Sequence, residues 1–119
     1  MSYVDGFVVP VPKRKIGAYR RMSRKAGKVW REYGAVDYVE CLADDVKPGK
    51  WTSFPQAVKL KAGEAVVFSW IVYKTRRDRD RINAKVMKDK RLASMMDPKK
   101  LPFDGKRMFW GGFKVIVDL

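Results

Sequence analysis

Apolar residues change their spacing along this chain in an order that leaves few folds open. Four runs rich in β-branched and aromatic residues predict strands, and two runs with apolar residues three or four positions apart predict helices. The predicted elements are a strand over 3–11, a helix over 13–33, strands over 35–43 and 65–73, a helix from Thr75, and a strand over 106–118. The chain therefore reads β-α-β-β-α-β.

This order is that of the ferredoxin-like split unit, an α+β fold with an antiparallel sheet. Right-handed crossovers place both helices on one face of the sheet. Both alternating sets of side chains in 65–73 are apolar, whereas a half-exposed strand would alternate with polar residues. We therefore expect the helix-free face to be buried, most simply against a second copy in a homodimer.

Local signals mark several element ends. Thr75 and Asp78 form a capping box that opens the second helix, and Gly34 stands where a left-handed C-cap is expected. In the long connection 44–63, Ser53 is placed to cap a short helical turn that runs through Leu60. A further turn is expected over 92–96. A connection as long as 44–63 is unusual between neighbouring strands, which indicates a function.

Length and composition restrict the class of protein. The 119 residues predict a single ferredoxin-like domain over 1–119, with a net charge of +14, six Met, one Cys and no His. The missing histidine removes the commonest general base and the commonest zinc ligand, so we expect neither a metal nor a cofactor. The single Cys41 cannot form an intramolecular disulfide, and no signal peptide or membrane span is evident, so the sequence predicts a cytoplasmic protein that does not contact membranes. Cys41 and the methionines are expected to be core residues.

Basic residues concentrate on the two predicted helices. Of the 27 Lys and Arg residues, nine lie within 13–31 and nine within 74–91. Such faces could bind nucleic acid weakly through phosphates, although they could equally be solvated surface. The candidate contacts are Arg20, Arg21, Arg24, Lys28, Arg31, Arg77, Arg81 and Lys85.

Charged residues inside apolar strands form a second candidate site. A pocket for a small polar molecule is predicted from Asp5, Tyr38, Glu40, Trp70 and Arg107, because buried charges are usually paired or functional. The alternative is a structural network of ion pairs. No arrangement of residues indicates a catalytic role.

The start of the second helix offers a further place for a ligand. Arg79 and Asn83 lie in its first turns, where free N–H groups could hold an anion. The alternative is that Asp78 and Asp80 simply complement the helix dipole. Both residues are therefore added to the predicted ligand site.

Six segments spread over the chain resemble a known family. They are Tyr3–Phe7, Tyr38–Cys41, Thr52–Pro55, Phe68–Tyr73, Asn83–Met87 and Pro102–Met108. Together they are similar to the YbaA-like bacterial family of unknown function, nearly end to end. The resemblance implies the dimeric α/β-barrel superfamily, in which two ferredoxin-like subunits stack sheet to sheet. That superfamily includes cofactor-free monooxygenases and haem-degrading enzymes, and the haem proteins generally use a histidine ligand that this chain lacks.

Three hypotheses for function remain open at this point. The first is a small-molecule binder or cofactor-independent enzyme with a cleft between sheet and helices. The second is a nucleic-acid-binding protein that uses the basic helix faces without reading sequence. The third is a structural or regulatory dimer without a ligand.

Overall fold

A computed structural model describes residues 2–119 and contains one four-stranded antiparallel sheet with strand order β2-β3-β1-β4. The strands are β1 (Tyr3–Pro12), β2 (Asp37–Leu42), β3 (Glu64–Tyr73) and β4 (Phe109–Lys114). The helices are α1 (Ile16–Glu32), α2 (Phe54–Ala57), α3 (Arg76–Met87) and α4 (Lys90–Met95), with 3-10 turns at Lys13–Lys15 and Gly105–Arg107. The predicted ferredoxin-like α+β fold is confirmed.

The strand register separates the two faces of the sheet. Asp5 lies opposite Ile71 and Val9 lies opposite Val67, and these residues alternate with a second set that points the other way. The first set packs under α1 and α3, where Ile71, Val9 and Val67 belong to the hydrophobic core. The second set includes Phe68, which is 41% exposed, so the helix-free face remains partly uncovered.

The last strand is shorter than the sequence predicts. The prediction of 106–118 was too long, because β4 is an edge strand that pairs only with β1. Lys114 lies opposite Tyr3, where β1 begins, so among residues 2–119 the chain beyond it has no strand to pair with, and only Val115 N still donates to the carbonyl of Ser2. At the other end, Asp104 accepts a hydrogen bond from Lys106 N and caps a 3-10 turn there.

The cap predictions at three element ends are confirmed. The hydroxyl of Thr75 accepts a hydrogen bond from Asp78 N at the start of α3. The hydroxyl of Ser53 accepts from Gln56 N at the start of α2, although that helix ends at Ala57. Gly34 after α1 has a φ of 115°, a conformation that disfavours other residues. Among residues 2–119, no helix has the length and apolar character to cross a membrane.

The long connection between β2 and β3 covers one end of the helix-free face. Val58 is 1% exposed and packs with Val8 and Val66, and Leu60 packs against the same cluster. Phe54 meets Phe68 edge to face, with ring centroids 5.8 Å apart. The connection is therefore a packed part of the structure, and it leaves only the remainder of this face open.

Candidate functional site

A cavity of about 140 Å³ lies between the sheet and the helices. One face of α1 supplies part of its wall, because residues at three- and four-residue steps share a helix face. The α1 residues are Tyr19, Met22, Ser23, Ala26 and Trp30. The sheet supplies Phe7, Val9, Tyr38, Glu40, Ser69, Trp70 and Ile71. The wall is thus mainly apolar, with a few hydroxyl groups and one carboxylate.

The segment after α3 forms the remaining wall. It contributes Leu92, Met96, Phe103 and Met108, and Met87 at the end of α3 lines the cavity beside them. Met87 and Met96 are 61% and 43% exposed, so the cavity reaches solvent beside them. Methionine side chains are flexible and polarizable, which suits a wall that adapts to a ligand.

Glu40 is the only carboxylate in the wall of this cavity among residues 2–119. It lies on β2, on the helix-facing side of the sheet, opposite Ser69 of β3. The Tyr19 hydroxyl donates a hydrogen bond to Oε1 at 2.7 Å, and the Tyr38 hydroxyl donates to Oε2 at 2.8 Å. No Lys or Arg among these residues forms an ion pair with it. The charge is therefore held by two neutral donors.

The electrostatics keep both phenols in the donor form. Burial raises the pKa of Tyr19 well above its ordinary value, and the adjacent Glu40 carboxylate raises it further. The pKa of Tyr38 is raised by the same two causes, burial first. A tyrosine that stays protonated continues to donate, so Glu40 keeps both hydrogen bonds through the physiological pH range.

A glycine in α1 makes room for this arrangement. The ring of Tyr38 packs directly on Gly27, where an added Cβ would lie 2.6 Å from Tyr38 Cδ1. Real Cβ atoms do not approach a ring carbon so closely, so a side chain at Gly27 would displace the ring. Because Gly27 has no side chain, the Tyr38 ring can lie against the helix in the position from which its hydroxyl reaches Glu40.

Asp5 belongs to a separate and closed network. It is 1% exposed, and both its oxygens accept hydrogen bonds from Arg79 Nε, at 3.0 and 3.2 Å. Asn83 Nδ2 donates to Asp5 Oδ2 at 3.3 Å, while Asn83 Oδ1 accepts from Trp30 Nε1 and from the Tyr73 hydroxyl. This network joins β1, β3, α1 and α3, and its bonded groups favour a structural role.

One of the predicted pocket residues lies elsewhere. Arg107 does not join Asp5 and Glu40: it pairs with Glu64, which lies opposite Pro12 at the far end of β1 from Asp5. Pro12 is seven positions along β1 from Asp5, a distance of roughly 23 Å. Trp70 does border the cavity, and its ring also packs against Phe68, two residues away on the helix-free side. The expected proximity of Asp5, Glu40 and Arg107 was wrong, because strand membership does not fix position along the sheet.

Sequence reasoning missed several lining residues. Tyr19 was assigned to the apolar stripe of α1, although a tyrosine there carries a hydroxyl that needs a partner when buried. This need for a hydrogen-bond partner was the one indication in the sequence that Tyr19 contacts a polar residue. The methionines were assigned to the core, and nothing in their spacing shows that four of them border a cavity. Those four are Met22, Met87, Met96 and Met108.

The basic candidates lie on the outer faces of the helices. All eight are exposed, namely Arg20, Arg21, Arg24, Lys28, Arg31, Arg77, Arg81 and Lys85. Arg81 lies 3.5 Å from Asp78, and Arg31 donates to the carbonyl of Val36. Among residues 2–119, no cluster of His, Cys, Asp and Glu side chains has the composition to hold a metal ion.

Comparison with known sequences places the chain among proteins without an assigned activity. Residues 2–105 match the family described as "Protein of unknown function (DUF1428)". The chain is 51% identical over 118 residues to "Uncharacterized protein YbaA" of Escherichia coli strain K12, covering 99% of each chain. The Shigella flexneri protein of the same description matches equally. The resemblance drawn from the sequence segments is confirmed.

Comparison with solved structures supports the fold. A structure described as "Putative antibiotic biosynthesis monooxygenase from Nitrosomonas europaea" superposes with a TM-score of 0.57 at 15% identity, covering 97% of this chain and 90% of that one. The structure of Rv0793 from Mycobacterium tuberculosis gives 0.55 at 11% identity, covering 99% and 98%. At these identities the likeness concerns the fold alone.

Proposed function

This chain belongs to the DUF1428 family of proteins of unknown function, and we propose that it binds a small, largely apolar molecule in the cavity between sheet and helices. The observation that carries the proposal is a carboxylate, hydrogen-bonded by two phenols, in the wall of a mainly apolar cavity. Ligand sites commonly combine apolar walls with a few placed polar groups.

The size of the cavity sets the size of the ligand. A volume of about 140 Å³ is close to the cavity of about 150 Å³ that accepts benzene in an engineered protein. A single ring or a short branched chain therefore fits. The exposed Met87 and Met96 give such a molecule a route to solvent without separation of the sheet from the helices.

Toluene tests this proposal, because it is apolar and of the right size. The wild-type chain is expected to bind it saturably, with chemical-shift changes at Ala26, Ile71 and Trp30 in NMR spectra. Ala26→Leu fills the cavity and should abolish binding, while Ala84→Leu on the exposed face of α3 should not. Ala26→Val serves if the larger change prevents folding. Absence of saturable binding to the wild type would refute a cavity that holds apolar molecules.

A second candidate function is sequence-independent binding of nucleic acid. It is favoured by the exposure of Arg20, Arg21 and Arg24, none of which pairs with a carboxylate among residues 2–119. Contacts to phosphates alone release counterions and read no bases, so affinity should fall steeply with salt.

Charge reversal tests this candidate. Changing these three residues to Glu should remove binding measured by fluorescence anisotropy over a salt series. Reversal of Lys47, Lys50 and Lys61 in the connection makes the same change in charge and should leave most of the binding. Tight binding to one sequence that survives the first variant would contradict this account.

A further inference from the structure

The unpaired charge of Glu40 restricts the ligand beyond its size. Buried or partly buried charges in proteins are normally paired with an opposite charge or coordinated, because removal from water is costly. The two phenols supply hydrogen bonds but no positive charge. Among residues 2–119, the cavity wall contains no Lys or Arg. Arg20 borders a neighbouring pocket together with Glu40, but it is exposed and forms no ion pair with that carboxylate. Within the cavity itself, a ligand is the available source of a positive charge at Glu40.

We infer that the cavity takes a protonated primary amine on a small apolar body, with the ammonium group at Glu40. The inference rests on the proposed function and specifies its ligand class. Each carboxylate oxygen has one phenol donor and retains a further lone pair for the ligand.

The neighbours of Glu40 suit an ammonium group. Ser69 is its cross-strand neighbour on the same face and also lines the cavity, so its hydroxyl oxygen supplies a further acceptor for one of the three N–H donors. The rings of Tyr38 and Trp30 lie 6.0 Å apart in the same wall, and aromatic faces attract cations. The rest of the wall is apolar and accepts the body of the molecule.

The net charge of +14 does not exclude a cation here. At physiological ionic strength, charges separated by more than about 8 Å are largely screened from each other across solvent. Arg20, the basic residue that borders a pocket together with Glu40, is exposed to solvent, whereas Glu40 is at contact distance from the ligand. The local carboxylate therefore dominates the interaction.

Three ligands of the same shape test the inference: benzylamine, benzyl alcohol and toluene. At pH 7 and near-physiological salt, the wild type should bind benzylamine at least about tenfold more tightly than benzyl alcohol, since hydrogen bonds between charged groups are the stronger ones. Glu40→Gln should remove that preference and leave toluene binding nearly unchanged. Asp45→Asn makes the same change in charge at an exposed site and should preserve the preference.

The outcomes separate this inference from the proposed function. Binding of toluene with no preference for benzylamine would refute the inference that the ligand is an amine, but it would support the proposal that the cavity binds small apolar molecules. Benzylamine binding that persists in Glu40→Gln would also overturn it, because another group would then hold the charge. Failure of all three ligands would overturn both. The wild-type comparison alone decides the question if the Gln variant fails to fold.

Discussion

Substitution of Gly27 tests whether packing against α1 fixes the Tyr38 ring in the position from which it donates a hydrogen bond to Glu40. We predict that Gly27→Ala lowers the free energy of unfolding by about 1 to 3 kcal/mol, because the added methyl group enters the space of the Tyr38 ring. In an exposed helix the same change would stabilise by up to about 1 kcal/mol. Urea denaturation of the two proteins measures the difference.

The same helix provides a matched control. Gly17 is exposed, and the nearest atom to an added Cβ is a flexible arginine nitrogen at 3.5 Å. Gly17→Ala should therefore be neutral or stabilising. Equal effects at Gly17 and Gly27 would mean that the Tyr38 ring moves aside freely, and the hydrogen bond to Glu40 would then not be fixed by packing.

The tyrosines of this site predict how stability depends on alkaline pH. The pKa of Tyr38 is raised in the folded chain above its ordinary value of 10.0. Below pH 10 the Tyr38 hydroxyl is protonated in both the folded and the unfolded chain, so its contribution to the free energy of unfolding is fully present. Above it the unfolded chain loses the proton first, and the free energy of unfolding falls by up to about 1.4 kcal/mol per pH unit for each such tyrosine.

Removing the hydroxyl tests the assignment to Tyr38. In Tyr38→Phe the decline between pH 9 and 11, followed by urea denaturation, should be shallower than in the wild type. An identical slope in both proteins would show that other groups cause the decline.

At the residue scale the sequence identified part of the site. Tyr38 and Glu40 were predicted as members of one pocket, because a charged residue inside an apolar strand is usually paired or functional. Tyr19 was not, since the pattern of a helix shows which face is buried but not which strand residue that face meets. Arg107 was grouped with them wrongly, because its partner Glu64 is set by the sheet register.

At the element scale, the segment after α3 controls access to the cavity. It is attached at both ends by arginines. Arg91 binds Glu32 of α1 and Asp89, and Arg107 binds Glu64, Asp104 and the carbonyl of Lys59. Between these attachments lie Met96 and Phe103, which line the cavity. The mobility of this segment therefore depends on the two arginines.

Loss of the second attachment should loosen the segment. Arg107 Nη1 lies 2.7 Å from Glu64 Oε1, and the Glu64 side chain is 9% exposed. We predict that Arg107→Gln raises amide hydrogen exchange over 96–108 by about tenfold, as expected when a hydrogen bond to a charged group is lost. Lys106→Gln, at an exposed position, should leave exchange there unchanged. Faster exchange throughout the sheet would instead indicate global destabilisation.

Element types were more predictable than element ends. Alternating and helical spacing identified the strands and both long helices, and the caps at Ser53 and Thr75 located two helix starts. The end of β4 is set by where β1 begins, which is not a local property of 106–118. The packing of 44–63 on the helix-free face was likewise missed, because its contacts with Val8 and Val66 are long-range.

At the scale of the whole molecule, the helix-free face carries a groove of about 520 Å³ that solvent reaches. The groove is lined by apolar residues from three strands, including Val4, Phe68, Phe109 and Phe113. Phe113 is 63% exposed, and its ring lies over Gly6 and Gly111. A contiguous apolar face of this kind usually marks an interaction site.

A homodimer through this face is the remaining prediction. Because the face is apolar and the connection 44–63 covers only one end of it, a second copy could bury on the order of 2,000 Å² in total, as stable dimers do. Each protomer carries +14, so screening of their repulsion should make the dimer tighter at higher salt. Sedimentation velocity at micromolar concentration should show a dimer for the wild type. Phe68→Lys should give a folded monomer, because it places a charge in the centre of the interface.

The control is Met87→Lys, which adds the same charge at an exposed apolar residue on the helix side. It should remain dimeric, since Met87 lies on the opposite side of the sheet from Phe68. A wild type that sediments as a folded monomer at all salt concentrations would refute the dimer. If both variants dissociate, either the interface lies elsewhere or the added positive charge alone causes the dissociation. Because the proposed ligand cavity lies on the helix side, toluene binding should survive in the monomeric Phe68→Lys variant, which separates assembly from ligand binding.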